Sequence, residues 1–248
     1  MLKTRIIPIL TFNGFALVKT KEFGNRRMVG NPVQAARVYN SRGVDELVFV
    51  DILASKQNRK LNLKIARDVI NECFMPVCLG GGIDNIQDIN DLLQIGADKV
   101  LIKKKALIEP NFIYQAARFF GSQCISLAVD VIKRGQRYDI FNEYGIIETM
   151  SDYIKRVQNL GAGEIILNSV DRDGMMGGFD IEMIAEALKV AKIPLVAVGG
   201  GGNLDHYSLL FSQVNCSAVG SASIFHFTKF TPLDIKNRLK EIGKPVRI

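Results

Sequence analysis

The chain has 248 residues, 48 % of them hydrophobic and 23 % charged, with 32 Lys and Arg against 25 Asp and Glu for a net charge of +7. Such a length and composition suit one large buried core, about the size of a single α/β barrel, and exclude a minimal domain or a low-complexity chain. The basic residues are dispersed apart from Lys103-Lys104-Lys105, and there is no Trp and no nucleic-acid-binding module, so the excess charge points to anionic small molecules or an acidic partner protein rather than nucleic acid.

Taken in order, short apolar runs alternate with helix-like segments from one end of the chain to the other. The runs cover residues 5–10, 46–50, 76–79, 99–102, 124–129, 164–167, 194–198 and 218–220. Eight strands each followed by a helical stretch predict an α/β fold of the (β/α)8 (TIM) barrel type, since a doubly wound sheet usually has fewer strands. Asn13-Gly14 between apolar stretches predicts a small hairpin after the first strand, and residues 136–148 are its counterpart after the fifth. Asn31-Pro32 is a cap followed by a proline in the first helical position, Asp84 to Gln87 reads as a capping box, and Pro110 opens a helix running to about Phe120. Gly43-Val44-Asp45-Glu46 recurs as Gly161-Ala162-Gly163-Glu164, and Gly80-Gly81-Gly82 as Gly199-Gly200-Gly201, at nearly one offset. The recurrence predicts two similar half-barrels, 1–120 and 121–248, within a single domain 1–248.

Active sites of such barrels lie at the carboxyl ends of the strands. The glycine runs after strands three and seven fall there, where backbone N–H groups can approach an anion closely. Gly81 and Gly82 on one side, and Gly199 and Gly200 on the other, are candidate phosphate cradles; tight βα turns are the alternative reason for the same glycines. Asp173-Gly174, Ser221 and Ser223 can complete the second cradle. Asp51 and Asp130 end strands two and five, and Asp171 and Asp173 follow strand six; one acid at a strand end is often a loop cap, but several on one mouth suggest chemistry. His206 and His226 sit away from strand ends and are expected in packing. The four cysteines (Cys73, Cys78, Cys124 and Cys216) lack ligand spacing, so neither a metal nor a cofactor is expected, and the thiols suit a reduced, cytoplasmic compartment. No apolar run approaches the ~18 residues of a spanning helix and no signal-peptide pattern opens the chain. Arg5, Glu46, Lys99 and Glu164 open strands one, two, four and six, which by itself predicts a solvated ion-pair ring at the bottom of the barrel.

The combination RIIPIL, GVDELVFVDI, GGGI, GADKV, FGSQ, GAGEI and DRDG resembles the cyclase subunit of imidazole-glycerol-phosphate synthase almost end to end. The resemblance implies a (β/α)8 barrel working with a separate glutaminase subunit on its bottom face, with ammonia passing through the barrel to a nucleotide bearing two phosphates. It implies that Arg5, Glu46, Lys99 and Glu164 gate the ammonia, that Asp98 and Gln123 face the glutaminase, and that Lys19 lies in a loop over the active site. It also marks departures. The family's pair of catalytic acids ends strands one and five; Asp130 fills the second place, but the first is Thr11, whose hydroxyl cannot exchange protons as a carboxyl does. Small polar residues at one phosphate site are replaced by Lys103, Lys104 and Lys105, and a threonine after the acid of strand two by Leu53.

Three functions follow as expectations. The foremost is a paralogue that still docks a glutaminase and conducts ammonia but serves another acceptor, such as an acetamidino sugar of a surface polysaccharide, with a sugar amidotransferase as a further partner. The second is an active cyclase in histidine biosynthesis, and the third a non-catalytic barrel that only activates the glutaminase.

Overall fold

The computed structural model describes residues 3–24 and 26–248. In chain order its elements are β1 (Arg5–Phe12), β2 (Leu17–Lys19), β3 (Arg27–Gly30), α1 (Pro32–Ser41), β4 (Leu47–Asp51), α2 (Leu63–Ile70), β5 (Val77–Gly80), α3 (Ile86–Gln94), β6 (Lys99–Ile102), α4 (Lys104–Ile108) and α5 (Asn111–Phe120). These are followed by β7 (Ile125–Arg134), β8 (Arg137–Ile140), α6 (Met150–Asn159), β9 (Glu164–Ser169), α7 (Ile181–Val190), β10 (Leu195–Val198), α8 (Leu204–Gln213), β11 (Ala218–Ser221), α9 (Ser223–Phe227) and α10 (Pro232–Glu241).

Eight of these strands pair in parallel in the order β1, β4, β5, β6, β7, β9, β10, β11, and β11 pairs with β1 to close the ring. The fold is a (β/α)8 barrel. Closure removes the sheet edges and gives each strand an inside and an outside. Outward residues such as Ile6, Leu10, Leu47, Leu79, Val100 and Leu127 pack under the helices in the main core, while Ile7, Val48, Cys78, Leu101, Ile166, Val196 and Ala218 form a second apolar layer inside the barrel.

The predicted strands all form, most of them displaced or extended by one or two residues. The fifth is longer than expected, running on to Arg134 because its end pairs antiparallel with β8 through Val131 and Ile140. The turn expected at Asn13-Gly14 joins β1 to β2, which pair antiparallel at Phe12 and Leu17, and β2 pairs in turn with β3. Asn31 caps α1 with Pro32 at its first position, accepting from Val33 and Gln34 N–H. The capping box at α3 falls one residue later than the sequence suggested: Asn85 is the cap, and Asp88 reaches back to the N–H groups of Asp84 and Asn85. Gln87, expected in the box, instead donates to Asp91.

The joint between α10 and β1 is held by a buried ion pair. Lys236 Nζ donates to Asp45 Oδ1 at 2.9 Å and to Gly43 O at 2.8 Å, and Asp45 Oδ2 accepts from the N–H of Ile6. Both side chains are almost wholly buried, so neither can fall back on water. Lys236→Met should therefore leave an uncompensated carboxylate and cost about 3 kcal/mol in urea unfolding, and adding Asp45→Asn should recover part of that loss.

Candidate functional site at the mouth of the barrel

The side-chain alternation of β-strands carries one face of each strand from the bottom of the barrel to its mouth. Along β1 the inward residues are Arg5, Ile7, Ile9 and Thr11; along β6 and just beyond it, Lys99, Leu101 and Lys103; along β7, Ser126, Ala128 and Asp130; along β9, Glu164, Ile166 and Asn168. The barrel is thus charged at the bottom, apolar in the middle and polar at the top.

At the bottom the four residues expected as a gate close into one alternating ring. Arg5 bonds Glu46 at 2.6 Å and also Glu164, and Lys99 bonds the same two carboxylates at 2.9 Å each. Burial acts to lower the pKa of Arg5 and of Lys99, but the two carboxylates outweigh it, so both cations are held above their usual values. Ser126 adds a weaker donor to Glu164 at 3.4 Å. Asp98 and Gln123 are exposed at this same end, where β6 and β7 begin; one oxygen of Asp98 accepts from Val77 N–H at 2.8 Å.

At the top a cavity of about 490 Å³ opens among the βα loops. Most of the residues singled out for the mouth line it: Thr11, Lys19, Asp51, Gly81, Gly82, Lys103, Lys104, Asp130, Asp173, Gly174, Gly199, Gly200, Ser221 and Ser223. Asp171 does not. It is exposed outside the cavity and accepts from Lys133 N–H, so the expected convergence of acids is one smaller than the sequence suggested. The lysine triplet also divides: Lys103 and Lys104 reach the mouth, whereas Lys105 turns to Glu109 one helical turn on.

Each acid of the mouth has a distinct setting. Asp51 is buried and fully engaged, accepting from Leu53 and Ala54 N–H and from both terminal nitrogens of Arg59, which also holds Asn13 O. That bonding is the work of a loop cap. Asp173 lies 3.8 Å from Lys19 Nζ and accepts from Thr20; burial raises its pKa, Lys19 opposes the rise, and nearby Asp130 adds to it. Asp130 is bonded by Lys103 through Oδ2 and by Asn168 through Oδ1. Thr11 supplies no acid at the end of β1, and its hydroxyl donates to Val18 O, so its one proton is committed to the β2 hairpin. Ser221 is likewise tied to Tyr207 at 2.7 Å.

Close packing as well as ligand approach explains the glycines. A Cβ on Gly82 would sit 2.2 Å from Arg59 O, on Gly174 2.1 Å from Thr20 O, and on Gly200 2.0 Å from Gly178 O. Neighbouring βα loops touch backbone to backbone at these points, so only glycine fits.

Sequence reasoning missed Asn168, Arg59 and the aromatic cover of Phe23 and Phe141, whose rings meet edge to face at 5.7 Å. Asn168 was recoverable, because it lies two and four residues along one strand from Ile166 and Glu164. Its Oδ1 is buried and has no hydrogen-bond partner among the described residues, and it lies 3.0 Å from where a Cβ on Gly199 would sit.

Together these features define a (β/α)8 barrel with a polar pocket at the strand ends and a closed ion-pair ring at the far end. Residues 5–231 match the family described as "Histidine biosynthesis protein". Over the full length of both chains, the protein is 40 % identical to imidazole glycerol phosphate synthase subunit HisF of Clostridium botulinum strain Okra, over 253 residues. It is 40 % identical to that of Streptococcus mutans over 251 residues, and 43 % identical to that of Dictyoglomus thermophilum over 253. The chain belongs to the histidine biosynthesis protein family and is HisF-like from end to end.

The backbone contacts predict a contrast within one loop region. Gly200→Ala, at φ 103° with a carbonyl in the way, should lower stability by roughly 2 kcal/mol or more in urea unfolding. Gly177→Ala, which meets nothing within 4 Å, should change it by no more than about 0.5 kcal/mol.

Proposed function

We propose that the chain is the barrel subunit of a glutamine-dependent synthase of the imidazole-glycerol-phosphate type. It binds a phosphorylated small molecule in the mouth and receives ammonia from a separate glutaminase subunit docked at the opposite end. The observation that carries this reading is the continuous full-length similarity to proteins named as HisF subunits, since a synthase subunit by name implies a complex. The ion-pair ring, with exposed Asp98, Gln123, Phe74 and Phe119 around that end, supports docking there: apolar side chains rimmed by polar ones are usual at protein interfaces. In the mouth, the ammonium groups of Lys19, Lys103 and Lys104 and the glycine backbones suit anionic ligand groups, and Asp130 is the acid that would transfer protons once its carboxylate is freed of its protein partners.

Between acceptors, the relatives' names favour imidazole glycerol phosphate formation in histidine biosynthesis over amidation of a polysaccharide sugar, for which no comparison speaks. One observation keeps a second acceptor in view: with Thr11 committed to Val18 O, the mouth has half of the family's acid pair. Loss of one such group typically removes about 10²–10⁴-fold in rate.

The test is to mix the purified chain with the glutaminase subunit of its own complex and follow both glutamine hydrolysis and imidazole glycerol phosphate. The expected result is faster hydrolysis on mixing, with slow cyclase turnover that Thr11→Asp raises by about 10²-fold or more. Absence of any stimulation would overturn the docking; fast turnover by the unaltered chain, with no gain from Thr11→Asp, would overturn the impaired acid pair.

A further inference from the structure

Lys103 directly follows β6 and enters the mouth on the face that carries Lys99 and Leu101. Its ammonium bonds Asp130 Oδ2, while Asn168 Nδ2 bonds the other oxygen at 3.0 Å. The proton-transfer acid is therefore held from both sides by protein donors and is poorly placed to exchange a proton with a ligand. Little else fixes the lysine. Its side chain is 34 % exposed, its ammonium lies 5.8 Å from the centre of the Phe23 ring, and Glu143 and Tyr144 face it from the loop after β8. Burial alone would lower the pKa of Lys103, but the Asp130 carboxylate more than reverses this, so the group is held above the usual lysine value and is cationic throughout the neutral range. Gly81 and Gly82 line the same cavity, and a compact cation on a flexible four-carbon stem can turn from a carboxylate to an anion bound beside it.

We propose that Lys103 is a ligand-selecting latch on Asp130. In the empty mouth it pairs with the acid; a phosphate group seated against Gly81 and Gly82 draws the ammonium onto itself and leaves Asp130 free to act. Occupation of the wall by an anion is thereby coupled to release of the acid, and a neutral compound of the same size leaves the pair closed. Lys103 is in this respect a positioning residue for Asp130. The inference rests on the reading of the mouth as a phosphate site and adds to it which side chain selects the ligand and what that selection releases.

The test is a crystal structure of the full chain with inorganic phosphate, paired with calorimetric phosphate binding by the unaltered chain, Lys103→Met and Lys103→Arg. The expected structure has the Lys103 ammonium within about 3 Å of a phosphate oxygen and withdrawn from Asp130. The expected affinities are about 10-fold or more weaker for Lys103→Met, as for loss of a charge-assisted hydrogen bond, and within a few-fold of the unaltered chain for Lys103→Arg. Phosphate bound against Gly81 and Gly82 with the Lys103–Asp130 pair intact, or unchanged binding at that wall by Lys103→Met, would overturn the latch while leaving the phosphate site standing. Failure of the unaltered chain to bind phosphate in the mouth would overturn both.

Discussion

The closed parallel barrel imposes one constraint on which the remaining structure depends: every second residue of each strand must face inward. Eight strands running the same way then bring all their first inward residues to one end and all their last to the other. A charged ring, an apolar layer and a polar mouth are therefore stacked along one axis by strand geometry alone. Arg5 and Thr11 are separated by three inward steps of one strand, and Lys99 and Lys103 by two steps along β6 and the residue beyond it. What each end can do is set by the side chains at those steps.

The two ends solve the problem of buried charge differently. At the bottom, two cations and two carboxylates alternate in a ring, so each charge has two opposite neighbours; the pairing outweighs the desolvation that opposes the charged forms of Arg5 and Lys99. At the mouth the charges are paired less completely. Asp51 is saturated by Arg59 and backbone donors, Asp173 is held by a longer contact to Lys19 and pushed toward its neutral form, and Asp130 is held by a lysine about one-third exposed. A structural ring would gain nothing from loose pairing. A binding site does, because a ligand can replace the partner.

Much of this was legible in the sequence because it is written in short-range patterns. The apolar runs, Asn31-Pro32 and the polar residue at the end of each strand are local signals, and they place the strands, the first helix and every mouth residue singled out except Asp171. The errors and omissions are of another kind. The box at α3 slipped by one residue because Asp84 and Asn85 are both competent caps, and only the extended backbone at Asn85 decides between them. Arg59 reaches Asp51 through a loop fold that no periodicity encodes, and the Lys103–Asp130 pair joins two neighbouring strands whose register is set by their pairing and not by local sequence. The glycines carried an ambiguity that contact distances resolve in part: they are required for loop packing whether or not an anion is bound.

The function proposed for this chain requires the ring and the mouth to be two ends of one path for a nitrogen nucleophile delivered by a partner. The most direct measurement supplies the assembled pair with glutamine labelled with ¹⁵N in the amide, in a bath of unlabelled ammonium, and reads the isotope in the aminated product. The account predicts product carrying the glutamine label almost exclusively, and label lost toward the bath ratio when Lys99→Met opens the ring. Product from the unaltered pair that already mirrors the bath would contradict it, for then the nitrogen would reach the mouth from solvent and not through the barrel.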